Sequence, residues 1–386
     1  MKKLKNLTAL VIVIVMTCGV LTSACSPPAT GKTTQVAGVS EEPTLGPTAD
    51  SGAKKIRIGI ALTPQGRGDK SFNDMCIKGL ERAVADFGIE YKDVTPQNVA
   101  ENMNALNYLA EEKYDIIFAV AFNFTNDIVT AAEQYPDVNF CGIDCSYETA
   151  IPKNLQSVIF NEQEGTYLAG IVAAMMTKTG TIGFVGGMNS PLVDKFEGGF
   201  VAGVQSVNPD VKIMSACTGS DATAWADSAK AKEIALDQIS KSADIIYHVA
   251  NVAGMGVFEA AAEKGIFVIG QDENQNVINP GLTLASGIKS CDMAIYNIIK
   301  EYVEKGTFNG GGTYIGNTEN GGVRLTSLSD LEDEELALSG EDQVKIQAMK
   351  DAIPEEVKTA VAKAEAGIID GSIIVPNWQV NGRPSN

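Results

Sequence analysis

Residues 244–270 run Asp244-Ile245-Ile246-Tyr247-His248-Val249, then Met255 to Lys264, then Gly265-Ile266-Phe267-Val268-Ile269-Gly270. The outer pieces are unbroken apolar runs of strand length, and the middle piece carries apolar residues at helical spacing. Strands without polar alternation are covered on both faces, as in a parallel sheet flanked by helices. Strand, helix, strand is a βαβ unit, because parallel neighbours need a crossover between them.

The same unit recurs outward in both directions. Upstream lie a helix over Gln163–Thr177, a strand over Thr181–Gly186, a helix over Leu192–Val207, a strand over Val211–Met214 and a helix over Asp227–Ser240. Before these, a first series starts at Lys54 with a strand over Ile56–Leu62. A helix from Ser71 to Phe87 follows, with Met75, Ile77, Leu80, Val84 and Phe87 at its period and Ser71 as its expected cap. Then come a helix at about Val99–Glu111, a strand over Asp115–Val120, a helix over Asn126–Gln134 and a strand over Val138–Gly142. Two consecutive series predict an α/β protein with two Rossmann-like lobes. Leu282–Ser286 and the amphipathic helix through Tyr302 are expected to return to the first sheet and so create a hinge. The expected division is lobe 1 at 54–160 with a return segment at about 282–317, and lobe 2 at 161–281 with 318–386 packed on it. Within that tail, acidic Ser327–Gln343 reads as a solvated loop or short helix, and Ile353–Ala366 as a final helix.

Composition removes several function classes. The 386 residues carry 30 Lys+Arg against 48 Asp+Glu, a net charge of −18, which argues against a nucleic-acid binder needing a basic face. One histidine, His248, excludes a histidine-rich metal site and leaves any Ser-His-Asp hydrolase dependent on that residue. No metal site and no cofactor is expected. No G-x-G-x-x-G follows the first strand, where Pro64-Gln65-Gly66-Arg67-Gly68-Asp69 stands, and no phosphate-binding G-x-x-x-x-G-K-[ST] occurs. Seven cysteines include no C-x-x-C pair. Cys76, Cys141, Cys145, Cys217 and Cys291 read as small buried apolar residues, with Cys141 and Cys145 a weak candidate metal clip.

The N-terminus has the layout of an export signal. Lys2, Lys3 and Lys5 precede the apolar run Leu7–Met16, which is too short for a comfortable membrane span. Leu21-Thr22-Ser23-Ala24-Cys25 resembles the lipobox of bacterial lipoproteins, with Thr22 where the motif usually has an aliphatic residue. That resemblance implies a signal peptide over 1–24, lipidation of Cys25 and an extracytoplasmic, membrane-anchored chain; an ordinary secretory signal cut nearby is the alternative. Residues 25–53 read as the anchor and a flexible tether.

Two such lobes place a ligand in the cleft between them, at the carboxyl ends of strands. By that rule Phe122 and Asn123, after the Asp115–Val120 strand, face the cleft. Several segments, in their order and spacing, resemble the basic membrane protein family of substrate-binding lipoproteins of ABC importers. These are Gly68-Asp69-Lys70-Ser71-Phe72-Asn73, Tyr135–Phe140, Glu164–Gly170, Gly186-Gly187 through Phe200, Gly270-Gln271-Asp272-Glu273-Asn274-Gln275 and Ser286-Gly287-Ile288-Lys289. The best-understood members bind purine nucleosides. The resemblance implies a type I periplasmic-binding architecture and a monomeric, non-enzymatic receptor serving an ABC permease. It also implies that Phe72 stacks on the base, Asn73 hydrogen-bonds it, Asp272 and Lys289 hold the ribose, and Gly254 admits backbone to the sugar. Asn251 stands where the family usually has bare glycine, so it either narrows the pocket or reads a ligand edge. Tyr247, His248 and Trp225 are candidates for the second stacking ring. Each residue also has a structural reading, such as core packing for Phe72 or a turn for Asn73. A sugar or signalling ligand on the same fold, a nucleoside hydrolase or other secreted α/β enzyme, and a regulator of sporulation or competence type without a transporter are the competing functions. The hydrolase lacks clustered aspartates near the first strand.

Overall fold

The computed structural model describes residues 55–384, all within one compact unit that begins at Lys54. The expected signal peptide, Cys25 and the tether lie outside the described residues. The first lobe begins with β1 (Arg57–Ala61), α1 (Phe72–Phe87), β2 (Glu90–Val94), α2 (Asn102–Glu111), β3 (Ile116–Val120), α3 (Thr125–Gln134), β4 (Asn139–Ile143) and β5 (Leu155–Phe160). The second contains α4 (Glu162–Met176), β6 (Thr181–Met188), α5 (Pro191–Val207), β7 (Lys212–Gly219), α6 (Ser228–Ser240), β8 (Ile245–Val249), α7 (Gly254–Lys264), β9 (Phe267–Asp272) and β10 (Thr283–Lys289). After these come α8 (Cys291–Lys305), β11 (Thr313–Gly316), β12 (Val323–Leu325), α9 (Asp333–Leu336), α10 (Gly340–Ala352), α11 (Glu355–Ile369) and α12 (Trp378–Asn381).

Two six-stranded sheets result, ordered β11-β5-β4-β3-β1-β2 and β12-β10-β9-β8-β6-β7. Every neighbouring pair is parallel except β10 with β12. Central strands β3 and β8 are buried along their whole length, as unbroken apolar runs require when helices cover both faces. The chain passes between lobes three times: after β5, after β10 and between β11 and β12. In the second lobe α4 and α5 pack backbone to backbone. A Cβ added at Gly203 would overlap the Tyr167 carbonyl, and one at Gly170 that of Phe200, so bare glycine sets the helix separation.

Four details depart from the sequence reading. Leu282–Ser286 does not return to the first sheet: β10 pairs with β9, Ser286 opposite Gly270. The return is made by α8, which lies against α1, and by β11. Ser286 fixes this placement: its Oγ accepts from Gln275 N–H at 3.0 Å and donates to Asn276 Oδ1 at 2.9 Å, tying β10 to the loop that follows β9. Ser71 does not cap α1 through its side chain. Asp69 does this instead, accepting from the backbone N–H groups of Ser71, Asn73 and Asp74 at 3.1, 2.9 and 3.1 Å. The acidic tail is not wholly solvated: Glu335 is fully buried, accepting from Asn276 Nδ2 at 2.7 Å and pairing with Lys350 Nζ at 2.6 Å. Strands β2, β5, β11 and β12 escape the apolar-run criterion. Three of them lie at sheet edges, where polar residues are tolerated, and β5 contains Gln156 and Ser157.

His248 is enclosed by β8, with Nε2 2.8 Å from Gln275 Oε1 and its ring edge-on to Phe258. Burial pushes its pKa down to about 4, only partly countered by that hydrogen bond. Folded below unfolded means the neutral ring favours the native state. That stability is complete above the unfolded value and is lost as pH falls from about 6.5 toward 4. Between pH 7 and pH 5 the loss from this residue is about 2 kcal/mol. Urea unfolding of the wild type is expected to show it, and His248→Gln to flatten it; an unchanged slope in the variant would assign the effect elsewhere.

Candidate functional site

The strand-end loops of both lobes converge on one cavity, partly open to solvent. The first lobe contributes Thr63 and Gln65 after β1, Phe72 at the start of α1, Phe122 and Asn123 after β3, and Asp144 after β4. The second contributes Leu192 and Phe196 from α5, Trp225 after β7, Asn251 after β8, Asp272 ending β9 and Lys289 ending β10.

Several of these turns are conformationally unusual. Ala121, Asp144, Asn251 and Asp272 all line the cavity and all have positive φ, at 96°, 62°, 50° and 74°. Asn and Asp tolerate the left-handed region better than other residues with a Cβ, whereas Ala121 is strained there. Such turns bend the chain sharply as it leaves each strand and clustered strain of this kind is characteristic of functional sites.

Seven of the ten expected residues line the cavity: Phe72, Phe122, Asn123, Trp225, Asn251, Asp272 and Lys289. Three do not. Asn73 is fully buried, and its carboxamide is engaged: Oδ1 accepts from Thr63 N–H at 3.1 Å, while Nδ2 donates to Thr63 Oγ1 and Asp69 Oδ2 at 2.7 and 2.9 Å. It braces the turn that presents Phe72. Tyr247 shares a face of β8 with cavity-lining Val249 but lies deeper in the second lobe, packed on Phe184 and Phe200 with its hydroxyl donating to Gln271 Oε1. Gly254 supports the His248 ring, which leaves no room for a Cβ there. Trp225 lies against Gly187 in a similar way; a Cβ at that glycine would overlap the indole. Asp144 and Phe196 escaped the sequence reading. The signal for Asp144 was its place after a strand, the rule applied to Asp272. Phe196 sits within a segment of the family resemblance, but its helical position gave it no distinction from core.

Charge is concentrated around Lys289, whose side chain is 3 % exposed. Its Nζ lies 2.5 Å from Asp144 Oδ2 and 2.9 Å from Glu162 Oε1. Glu162 Oε2 lies 2.5 Å from Lys195 Nζ, which also donates to the Phe160 carbonyl at 3.0 Å. The ammonium of Lys289 sits 4.7, 5.2 and 5.8 Å from the ring centres of Phe72, Phe160 and Phe196. Burial alone would lower the Lys289 pKa, but Asp144 and Glu162 outweigh it and hold the ammonium charged. Burial likewise opposes ionisation of Glu162; Lys195 and then Lys289 overcome it and keep its carboxyl below the usual range. For Asp144, burial pushes the carboxyl up and Lys289 only partly offsets it. The short contact to a firmly charged ammonium supports the ionised pair.

The lobes touch through further polar contacts. Ser71 Oγ donates to Asp272 Oδ2 at 2.7 Å, Asn251 Nδ2 to Asp69 Oδ2 at 3.1 Å, and Gln275 Nε2 to the Lys70 carbonyl at 2.8 Å. Lys78 of α1 pairs with Glu273 at 2.6 Å and Glu334 at 3.0 Å. Burial pushes Asp69 up despite its several donors. Among the described residues no cluster of three or more His, Cys, Asp or Glu could hold a metal.

Residues 57–363 match the family described as Bmp, ABC transporter substrate-binding protein PnrA-like. The chain is 34 % identical over 247 residues to basic membrane protein A of Borreliella burgdorferi, covering 63 % of this chain and 71 % of that protein. It is 30 % identical over 347 residues to the ABC transporter nucleoside-binding protein BmpA of Lactococcus lactis subsp. cremoris, covering 83 % and 89 %. A solved structure of an ABC transporter solute-binding protein from Aeropyrum pernix superposes with a TM-score of 0.72 at 29 % identity, covering 83 % of this chain and 94 % of that one. The two-sheet, two-lobe arrangement is the type I periplasmic-binding architecture. The chain therefore belongs to the Bmp family of ABC transporter substrate-binding proteins, a family of binding proteins rather than enzymes.

Proposed function

We propose that this solute-binding protein closes its lobes on a nucleoside, a purine nucleoside by preference, and presents it to an ABC permease from a lipid anchor on Cys25. The observation that carries the ligand class is the meeting of aromatic side chains from both lobes, Phe72 and Phe122 with Phe196 and Trp225, beside Asp272 and Lys289 in one cavity. A purine presents two apolar π-faces, and stacking on an aromatic ring contributes about 1–3 kcal/mol per base. A ribose presents hydroxyl donors to a carboxylate and acceptors to an ammonium. In this reading Phe72 takes one face of the base and Trp225 the other. Asn123 and Asn251 read its polar edge, and Asp272 and Lys289 hold the sugar. The nucleoside-binding name of the Lactococcus relative supports the same ligand class. Domain closure about the three crossover segments follows the hinge logic of two-lobed binders.

Three measurements test this reading. Inosine, guanosine or adenosine at a hundred times its Kd is expected to stabilise the folded chain by about 2.7 kcal/mol, seen as a raised melting temperature. A flat melt with all three, and a shift with a hexose, would reassign the site to a sugar. Asp272→Ala is expected to weaken inosine binding by at least about tenfold while changing hypoxanthine binding less, since loss of a charge-assisted hydrogen bond costs about 1.5–3 kcal/mol. Equal losses for nucleoside and free base would remove Asp272 from the ribose. Cys25→Ser is expected to release the chain from membranes into the soluble fraction, and full retention would place the anchor elsewhere.

A further inference from the structure

Two of the four buried charges beside the cavity do not line it. Glu162 begins α4 directly after the first interlobe crossover, and Lys195 lies within α5. Both are almost completely buried, at 2 % and 6 % exposure. Asp144 belongs to the first lobe, and Lys289 is the last residue of β10, just before the second crossover. Charges therefore alternate in a line, Asp144 to Lys289 to Glu162 to Lys195, with contacts of 2.5, 2.9 and 2.5 Å.

We propose that Lys195 and Glu162 are positioning residues for the binding cavity: Lys195 neutralises Glu162, and Glu162 fixes the Lys289 ammonium where a ligand meets it. A four-carbon lysine stem has many rotamers, and three donors on a freely turning head specify no direction by themselves. Glu162 supplies a second anchor beside Asp144, so Nζ is bound on two sides and its third direction is left for a ligand. Glu162 meets both ammoniums as close ion pairs, so its hold depends on charge. Without Lys195, that carboxylate would face one cation instead of two while almost fully buried, and it would draw Lys289 away from Asp144 or take up a proton. The Phe160 carbonyl fixes Lys195 in turn, from the strand that ends at the crossover.

The proposal rests on the nucleoside reading for one of its two readouts. In the full-length chain, titration calorimetry with inosine and with hypoxanthine separates positioning from general damage. Lys195→Met is expected to weaken inosine about tenfold and hypoxanthine by less than about twofold, because only the nucleoside carries the sugar that Lys289 meets. Equal weakening of both would make Lys195 merely structural and overturn the proposal. In a Lys289→Met background the same change is expected to cost inosine less than about twofold more, since coupled residues are not additive; a loss as large as in the wild type would overturn it. Should Lys195→Met not fold, the Glu162→Gln/Lys195→Met pair removes both charges together and is expected to show the same selective loss of inosine, whereas wild-type affinity would refute the role. Should the wild type bind no purine nucleoside, the nucleoside reading fails on its own. The ligand-free chain then decides the positioning role. Urea midpoints of Lys195→Met, Lys289→Met and the double variant are expected to be non-additive, and additive shifts would overturn it.

Discussion

A lysine ammonium held almost out of water is the constraint around which the cleft is organised. Removing such a charge from water costs several kcal/mol unless partners compensate it. Lys289 finds two carboxylates, and one of them finds a second lysine. Three aromatic rings also lie near the ammonium and attract it through their faces. These partners come from different lobes or from either side of a crossover, so the charges can be satisfied only when both sheets are built and joined. The topology is thus a condition for the site as well as its scaffold. The interior of one lobe could not supply the same set.

The same dependence explains where the sequence was legible. The sheets were readable because central strands such as β3 and β8 are continuous apolar runs, and the cleft was readable because ligands of open α/β sheets bind at carboxyl strand ends. Phe122, Asn123 and Asp272 were found by that rule alone or with the family resemblance beside it. The failures have a common cause. Asn73 adjoins Phe72, but successive residues on a helix point about 100° apart, and only Phe72 turns to the cavity. Tyr247 is a ring on the right strand, yet it lies two residues short of cavity-lining Val249, inside the core of the second lobe. Asp144 acquires its meaning from Lys289, 145 positions away, and no local pattern announces such a pair. The placement of β10 is not legible because strand-like residues do not say which sheet they join; distant contacts such as Ser286 Oγ with Gln275 N–H decide it.

Strain and compensation also meet at this cleft. Asn251 and Asp272 adopt left-handed turns, and each uses its side chain to contact the opposite lobe, through Asp69 and Ser71 respectively. A residue with an uncommitted side chain would bear the backbone cost with no such return. The Asn251 amide thereby supplies an interlobe hydrogen bond that a glycine at this turn would lack.

The bond between Ser71 and Asp272 bears on how the pocket can hold a ligand and remain shut. Asp272 Oδ2 accepts from Ser71, and Oδ1 accepts from Gln271 Nε2 at 3.1 Å. A carboxylate offers about four lone-pair sites, so two protein donors leave roughly two for a ligand. A vicinal diol presents two hydroxyl donors with the spacing of a carboxylate's two oxygens. In the proposed complex the diol would therefore complete the coordination of Asp272 without displacing Ser71, and the interlobe contact would persist while the ligand is bound. A ligand with one hydroxyl would leave part of a half-buried carboxylate unpaired, at a cost of about 1–3 kcal/mol. Under the nucleoside proposal, a preference for a pentose with both hydroxyls would follow from this geometry, because Asp272, the group proposed to hold the sugar, also joins the lobes.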